Sequence, residues 1–221
     1  MPPRPKFTTL DDSLYAYLVA HRSADDAVVE ELRDETARLG GSATMQIAPD
    51  QATLLQILVG ALDARWAVEV GTFTGLSALA IARGLSPRGR LFCFDVSEEW
   101  TAIGRRYWEK AGVADRIELR IGPAAPALRV LPREPWLDFA FIDADKEGYP
   151  VYWDEIVPRL RPGGLVAVDN VLWEGEVVRP EEQGEEVRAI RAFTEKVLGD
   201  DRVESVMLAV ADGLTLARKR R

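Results

Sequence analysis

The chain has 221 residues, of which 47% are hydrophobic and 29% charged, and its formal net charge is −8 with an isoelectric point of about 4.9. That length suits a single α/β domain (1–221) with a sizeable core. The acidic balance argues against nucleic-acid binding, which calls for a basic face; the one dense basic run is the tail Arg218-Lys219-Arg220-Arg221. The single cysteine, Cys93, excludes an internal disulfide and a cysteine metal cluster. The opening MPPRPKFTTLDD has no apolar signal segment, and no run is long enough to span a bilayer, so no membrane partner and a cytoplasmic location are expected.

The first part of the chain, 1–62, reads as helices. Residues 25–39 place Val28, Val29, Leu32, Thr36 and Leu39 at helical spacing, and Gly40-Gly41 stops the helix. Pro49-Asp50 opens another, with Leu54, Leu55, Ile57, Leu58 and Leu62 as its apolar positions. From 65 to 221 short apolar runs alternate with amphipathic stretches. The runs are WAVEV (66–70), RLFCFD (90–95), RIELRI (116–121), LDFAFID (137–143) and GLVAVD (164–169). The stretches 74–85 and 98–112 between them read as helices. Strands alternating with helices predict a parallel sheet covered on both faces. RVESVMLAV and GLTLARK, separated by Ala211-Asp212, predict an antiparallel hairpin at one edge. The expected fold is therefore a doubly wound, mostly parallel seven-stranded sheet ending in an antiparallel hairpin, the methyltransferase variant of the Rossmann-like architecture.

The first βα turn reads Glu69-Val70-Gly71-Thr72-Phe73-Thr74-Gly75. Its glycines let the backbone approach a ligand without a Cβ in the way. In doubly wound sheets ligands bind at the carboxyl ends of the strands, where this turn lies. The spacing G-x-x-x-G is not the G-x-G-x-x-G dinucleotide fingerprint. The next strand ends in Asp95, which can accept hydrogen bonds from ribose hydroxyls. Together these features point to an adenosine ligand. The bland alternative is a structural turn plus a helix N-cap made by Asp95 or Ser97.

Four segments, MQIAPDQATLLQILV, VEVGTFTGLSALAIA, FIDADK and PGGLVAVDNVLWEGEV, in this order and spacing, resemble the cation-dependent O-methyltransferases, the family of catechol and caffeoyl-CoA O-methyltransferases. The likeness runs from about Thr44 to the C-terminus. It implies S-adenosyl-L-methionine as cofactor. Met45 and Ile47 would then lie over its methionine end, with Glu69, Gly71 and Ser77 lining the amino-acid moiety. Asp95 would bind the ribose, and Gly122 and Ala124 would lie beside the adenine. The acid common in that last loop is replaced by Pro123. The family commonly pairs as a homodimer through its N-terminal helices and a sheet face.

The resemblance also assigns Asp143, Asp169 and Asn170 to a divalent metal. Three oxygen donors suit Mg²⁺ first, with Mn²⁺ or Ca²⁺ compatible. With His21 as the only histidine, a usual zinc site is not expected. Helix capping is the bland role of these acids. A free phenol has a pKa near 10, and two adjacent hydroxyls on a dication would be both oriented and acidified. Lys146, at the family's spacing from Asp143, matches the general base. Its alternative is a surface salt bridge to Asp145 or Glu147. Trp173 either walls the substrate, a small aromatic diol, or simply packs. The segment after the metal pair holds six glutamates against Arg179, Arg188 and Arg191, which disfavours a coenzyme A arm unless cations such as Arg4, Lys6 or Arg22 fold over the mouth. Competing readings are an NAD-dependent dehydrogenase, a non-catalytic S-adenosylmethionine-binding protein and a metal-independent methyltransferase acting on nitrogen or a carboxylate.

Overall fold

The computed structural model describes residues 6–181 and 184–221. Three helices lead: α1 (Asp12–Ala20), α2 (Ala27–Ala37) and α3 (Pro49–Ala61). The core then alternates β1 (Trp66–Val70), α4 (Leu76–Gly84), β2 (Arg90–Asp95), α5 (Glu98–Lys110), β3 (Ile117–Ile121), α6 (Ala124–Arg129), β4 (Leu137–Ile142), α7 (Tyr149–Ile156) and β5 (Leu160–Val168). It closes with α8 (Glu185–Leu198), β6 (Val203–Leu208) and β7 (Leu214–Lys219).

The seven strands run in the order β3-β2-β1-β4-β5-β7-β6. Pairing is parallel from β3 to β5, and β7 lies antiparallel to both β5 and β6. The strand order reverses between β1 and β4, and a crevice opens at the carboxyl ends of such a pair. Two layers of apolar side chains fill the two faces. One joins α2, α3, α4 and α5 to Ala67, Leu91, Cys93, Phe139, Phe141 and Ala167. The other joins α6, α7 and α8 to Val68, Val70, Phe94, Ala140, Ile142, Val166 and Val168. The N-terminal helices thus bury Leu32, Leu55 and Val59 in the same core as the sheet. Among the described residues no helix is long and apolar enough to cross a membrane.

Two details differ from the sequence expectation. Strand β5 starts at Leu160, not Gly164: Leu160 pairs with Leu137, and the register then shifts before Phe139 pairs with Leu165. Gly163, at φ 83°, takes up that irregularity. The link between β6 and β7 is a five-residue loop, 209–213, with Ala211 and Gly213 at positive φ, rather than a two-residue turn. The hairpin lies at the sheet edge with β7 in the inner place beside β5, so its later strand is the shielded one.

Candidate active site

Strand alternation brings the acids together. On each strand every second side chain faces the same way. Ala67 and Glu69 on β1, Leu91, Cys93 and Asp95 on β2, Phe139 and Phe141 on β4, and Leu165 and Ala167 on β5 alternate toward the α3 side. Continuing the count one step past β4 and β5 gives Asp143 and Asp169 on that face. A cavity of about 1360 Å³ opens there. Its wall includes Met45, Ile47, Gly71, Ser77, Asp95, Gly122 and Ala124 toward β1 and β2, and Asp143, Lys146, Asn170 and Trp173 toward β4 and β5. Glu69 and Asp169 are not on the wall; they lie buried beneath it, 0% and 3% exposed.

At the β1–β2 end the glycines serve contacts within the protein more than a ligand. A Cβ on Gly71 (φ 86°) would fall 1.9 Å from the Asp143 carbonyl oxygen. Gly71 N donates to Phe94 O at 2.9 Å and Asp143 N to Val70 O at 2.8 Å, so this glycine lets β1 and β4 close up. A Cβ on Gly75 would meet the Trp108 ring at 2.7 Å. Gly122 (φ 141°) has open space around its Cβ position, as expected for a residue on the cavity wall.

Asp95 does more than one job. Its Oδ2 accepts from Thr72 N and Phe73 N, both at 2.8 Å, and its Oδ1 from Ser97 N at 2.8 Å. An ionised carboxylate has about four acceptor sites, so one remains for a ligand. The helix N-cap falls to Ser97, whose Oγ accepts from Trp100 N at 3.2 Å. Phe73, held at φ 49°, sets its ring edge-on to Trp100 at 5.1 Å between centroids. Glu69 Oε2 accepts from Thr72 Oγ1 at 2.8 Å, while its Oε1 has no hydrogen-bond partner. Burial pushes this carboxyl up to about 7.

The β4–β5 end is held by charge. Lys146, 9% exposed, donates to Tyr149 Oη at 2.6 Å and Asn170 Oδ1 at 2.8 Å, and pairs with Asp143 Oδ1 at 3.4 Å. Its salt bridge is therefore to Asp143, not to Asp145 or Glu147; Asp145 instead accepts from Tyr152 Oη at 2.6 Å. The Lys146 ammonium also lies 5.6 Å from the centre of the Trp173 ring. Burial and the nearby Asp143 push Asp169 up to about 7, and burial raises Asp143 as well. Asn170 takes φ 52°, and its N–H donates to Asp169 Oδ1 at 2.7 Å. Trp173, Glu174 and Gly175 form a run of three left-handed residues at φ 47°, 50° and 79°. That strained run is held by Asp212, whose Oδ1 accepts from Glu174 N at 2.7 Å and whose carbonyl accepts from Leu172 N at 2.9 Å.

Tyr149, Gln51 and Asp212 were not singled out from the sequence. Tyr149 stands three residues after Lys146, one helical turn, and that spacing is a usable signal. Gln51 and Asp212 carry none, because they arrive from α3 and from the β6–β7 loop.

The donor set fits a cation. Among the described residues no three His, Cys, Asp or Glu side chains gather as metal ligands; the set here is two aspartates and an amide. One ammonium already sits against the Asp143 and Asn170 oxygens. Two carboxylates facing one ammonium, Asp169 buried and Asp143 on the cavity wall, leave negative charge unbalanced, and a hard cation takes such oxygen donors while keeping positions for other ligands.

A family model described as O-methyltransferase matches residues 19–220. The chain is 37% identical over 213 residues to "Probable caffeoyl-CoA O-methyltransferase 1" of Dictyostelium discoideum, covering 95% of this chain and 93% of that one. It is 37% identical over 212 residues to the mouse catechol O-methyltransferase domain-containing protein 1, covering 95% and 80%. Its fold superposes on the Bacillus cereus O-methyltransferase solved in complex with SAH with a TM-score of 0.85, at 33% identity, covering 94% and 97%. With its sheet order, its cavity at the β1–β4 switch point and this match over nearly the whole length, the chain belongs to the O-methyltransferase family.

Proposed function

We propose that this O-methyltransferase methylates one hydroxyl of a small vicinal aromatic diol, with S-adenosyl-L-methionine as donor and a divalent cation, Mg²⁺ or a substitute such as Mn²⁺ or Ca²⁺, held by Asp143, Asp169 and Asn170. The observation that carries this reading is the convergence of Lys146 Nζ on Asn170 Oδ1 and Asp143 Oδ1 at the cavity wall, with the Trp173 ring beside it. S-adenosylmethionine supplies the methyl group, and the dication supplies the charge that acidifies a hydroxyl whose free pKa is near 10. Lys146, having released its own proton to solvent when a dication takes its place against the Asp143 and Asn170 oxygens, would take the proton of the hydroxyl to be methylated on its free Nζ. Tyr149 Oη, donating to the Asp169 carbonyl at 3.0 Å, holds that nitrogen from below. Trp173 flanks the aromatic ring. Asp95 binds the ribose with its remaining acceptor site, and Met45 and Ile47 cover the methionine end.

The wall also bears on the acceptor. Asp11, Asp12, Asp145, Glu174, Glu176 and Asp212 line the cavity besides Asp95 and Asp143, and Lys146 is the one cationic side chain among its described lining residues. Arg191 donates to the carbonyls of Val177 and Glu176, both at 3.0 Å, and Arg22 pairs with Asp25 at 2.6 Å. Arg4 lies outside the described residues. A phosphate-bearing coenzyme A arm would meet repulsion at this mouth, so the acceptor is compact: a free catechol, a hydroxycinnamate or a flavonoid. The test is a methyl-transfer screen over aromatic diols with and without chelator. Turnover should vanish on chelation and return with Mg²⁺. Full activity in excess chelator would sink the metal-assisted mechanism.

A further inference from the structure

Gln51 is a fully buried polar side chain for which the fold alone offers no use. It sits in the first turn of α3 at 0% exposure, and neither Nε2 nor Oε1 has a hydrogen-bond partner. Buried amides are almost always paired, so an orphan invites explanation by a group that joins it. Its surroundings say which group. Leu55, four residues on and on the same face of α3, shares a core layer with Ala167 of β5. Asp169 follows Ala167 by two residues and leaves the sheet on that side. The Gln51 amide accordingly lies beside the Asp169 carboxylate, although no hydrogen bond of normal length joins them. One Asp169 oxygen, Oδ1, already accepts from Asn170 N. The carboxylate has acceptor sites to spare, and the orphan amide has donors to fill them.

We infer that Gln51 is a positioning residue for the cation site: its Nε2 donates to Asp169 and turns that carboxylate toward a divalent ion. The inference rests on the metal reading above. Partners of this kind orient a ligand without touching the metal, and their loss typically costs 10- to 100-fold in metal affinity. The role also gives α3, which follows the Met45–Ile47 segment, a part in cation binding as well as in cofactor cover.

The test compares wild type, Gln51→Met and Gln51→Asn by calorimetric titration with Mn²⁺, by S-adenosylhomocysteine affinity and by thermal denaturation without metal. Met matches Gln in shape and removes an unpaired amide, so the metal-free Tm should hold or rise. Mn²⁺ affinity should fall 10- to 100-fold while S-adenosylhomocysteine affinity stays within about twofold. Asn keeps an amide one methylene short of Asp169 and should also bind Mn²⁺ more weakly, an independent reading if Gln51→Met does not fold. Unchanged Mn²⁺ affinity in the variants, with tight binding by the wild type, would overturn the role of Gln51 alone. A metal-free Tm that drops with Mn²⁺ affinity intact would make Gln51 a packing residue and also overturn it. A wild-type chain that binds no Mn²⁺ would overturn the metal reading, and this inference with it.

Discussion

At the β1–β2 end of the cavity the backbone does the positioning, whereas at the β4–β5 end charged side chains do. Asp95 gathers the N–H groups of Thr72, Phe73 and Ser97, and Gly71 lets β1 and β4 approach, so this end is shaped before any ligand arrives. Opposite it, Asp143 and Asp169 crowd together with both carboxyls raised, and one ammonium, Lys146, answers them. The first end is a preorganised frame whose polar groups are mostly satisfied. The second carries an electrostatic imbalance that binding must complete. In the proposed function the fixed end would hold the methyl donor and the charge-hungry end would activate the acceptor.

The largest way to break this contrast is at Lys146. Lys146→Met should lower kcat about 10²–10⁴-fold, the usual worth of a positioned general base, with cofactor affinity nearly unchanged. Steady-state rates at saturating donor check it. A near wild-type kcat would leave hydroxyl activation to the cation alone.

Glu69 tests the frame from beneath. Its carboxyl is raised from 4.5 to about 7 by burial. For an acid raised in the folded state, the stability held by the protonated form is fully present below about pH 4.5 and is lost as pH rises through about 7. Wild type should therefore lose on the order of 3 kcal/mol relative to Glu69→Gln between pH 5 and 8. Denaturant titrations across that range measure the difference. Parallel curves for the two proteins would mean that Glu69 is ionised throughout.

Asp95→Ala sharpens the frame side. It removes the proposed ribose acceptor and orphans three backbone donors at once. Donor affinity should fall by roughly 1–3 kcal/mol, and the Tm should fall with it. Calorimetry showing unchanged affinity alongside a lowered Tm would confine Asp95 to the turn.

The smallest effect concerns the acidic mouth. Side-by-side kcat/KM values for caffeic acid and caffeoyl-CoA should not favour the thioester. A tenfold preference for it, about 1.4 kcal/mol of transition-state discrimination, would overturn the compact-acceptor reading and point to cations outside the cavity wall.

Much of this was legible in one dimension, and the exceptions share a cause. WAVEV and RLFCFD coincide with β1 and β2, and Pro49 opens α3, because apolar runs and helix starts are local signals. The acids at strand ends were legible for the same reason, and most of the side chains read from motifs do meet at one cavity. Burial was not legible: nothing in VEVG says that Glu69 lies under the wall. Neither was the reason for Gly71, whose missing side chain makes room for the Asp143 carbonyl 72 residues away.

By itself, then, the chain determined its elements, the apolar face of each, and a set of chemically apt residues at the ends of β1, β2, β4 and β5, all properties of periodicity and composition within a dozen residues. Tertiary structure alone decided which of them meet. The order of the strands, β1 against β4 and β7 between β5 and β6, brings Gly71 to Asp143 and Asp212 to Glu174. The stacking of α3 in the same core layer as Phe141 and Ala167 sets the orphan Gln51 beside Asp169. Contacts between segments distant in the chain depend on how whole faces stack to exclude water, and no local pattern carries that information.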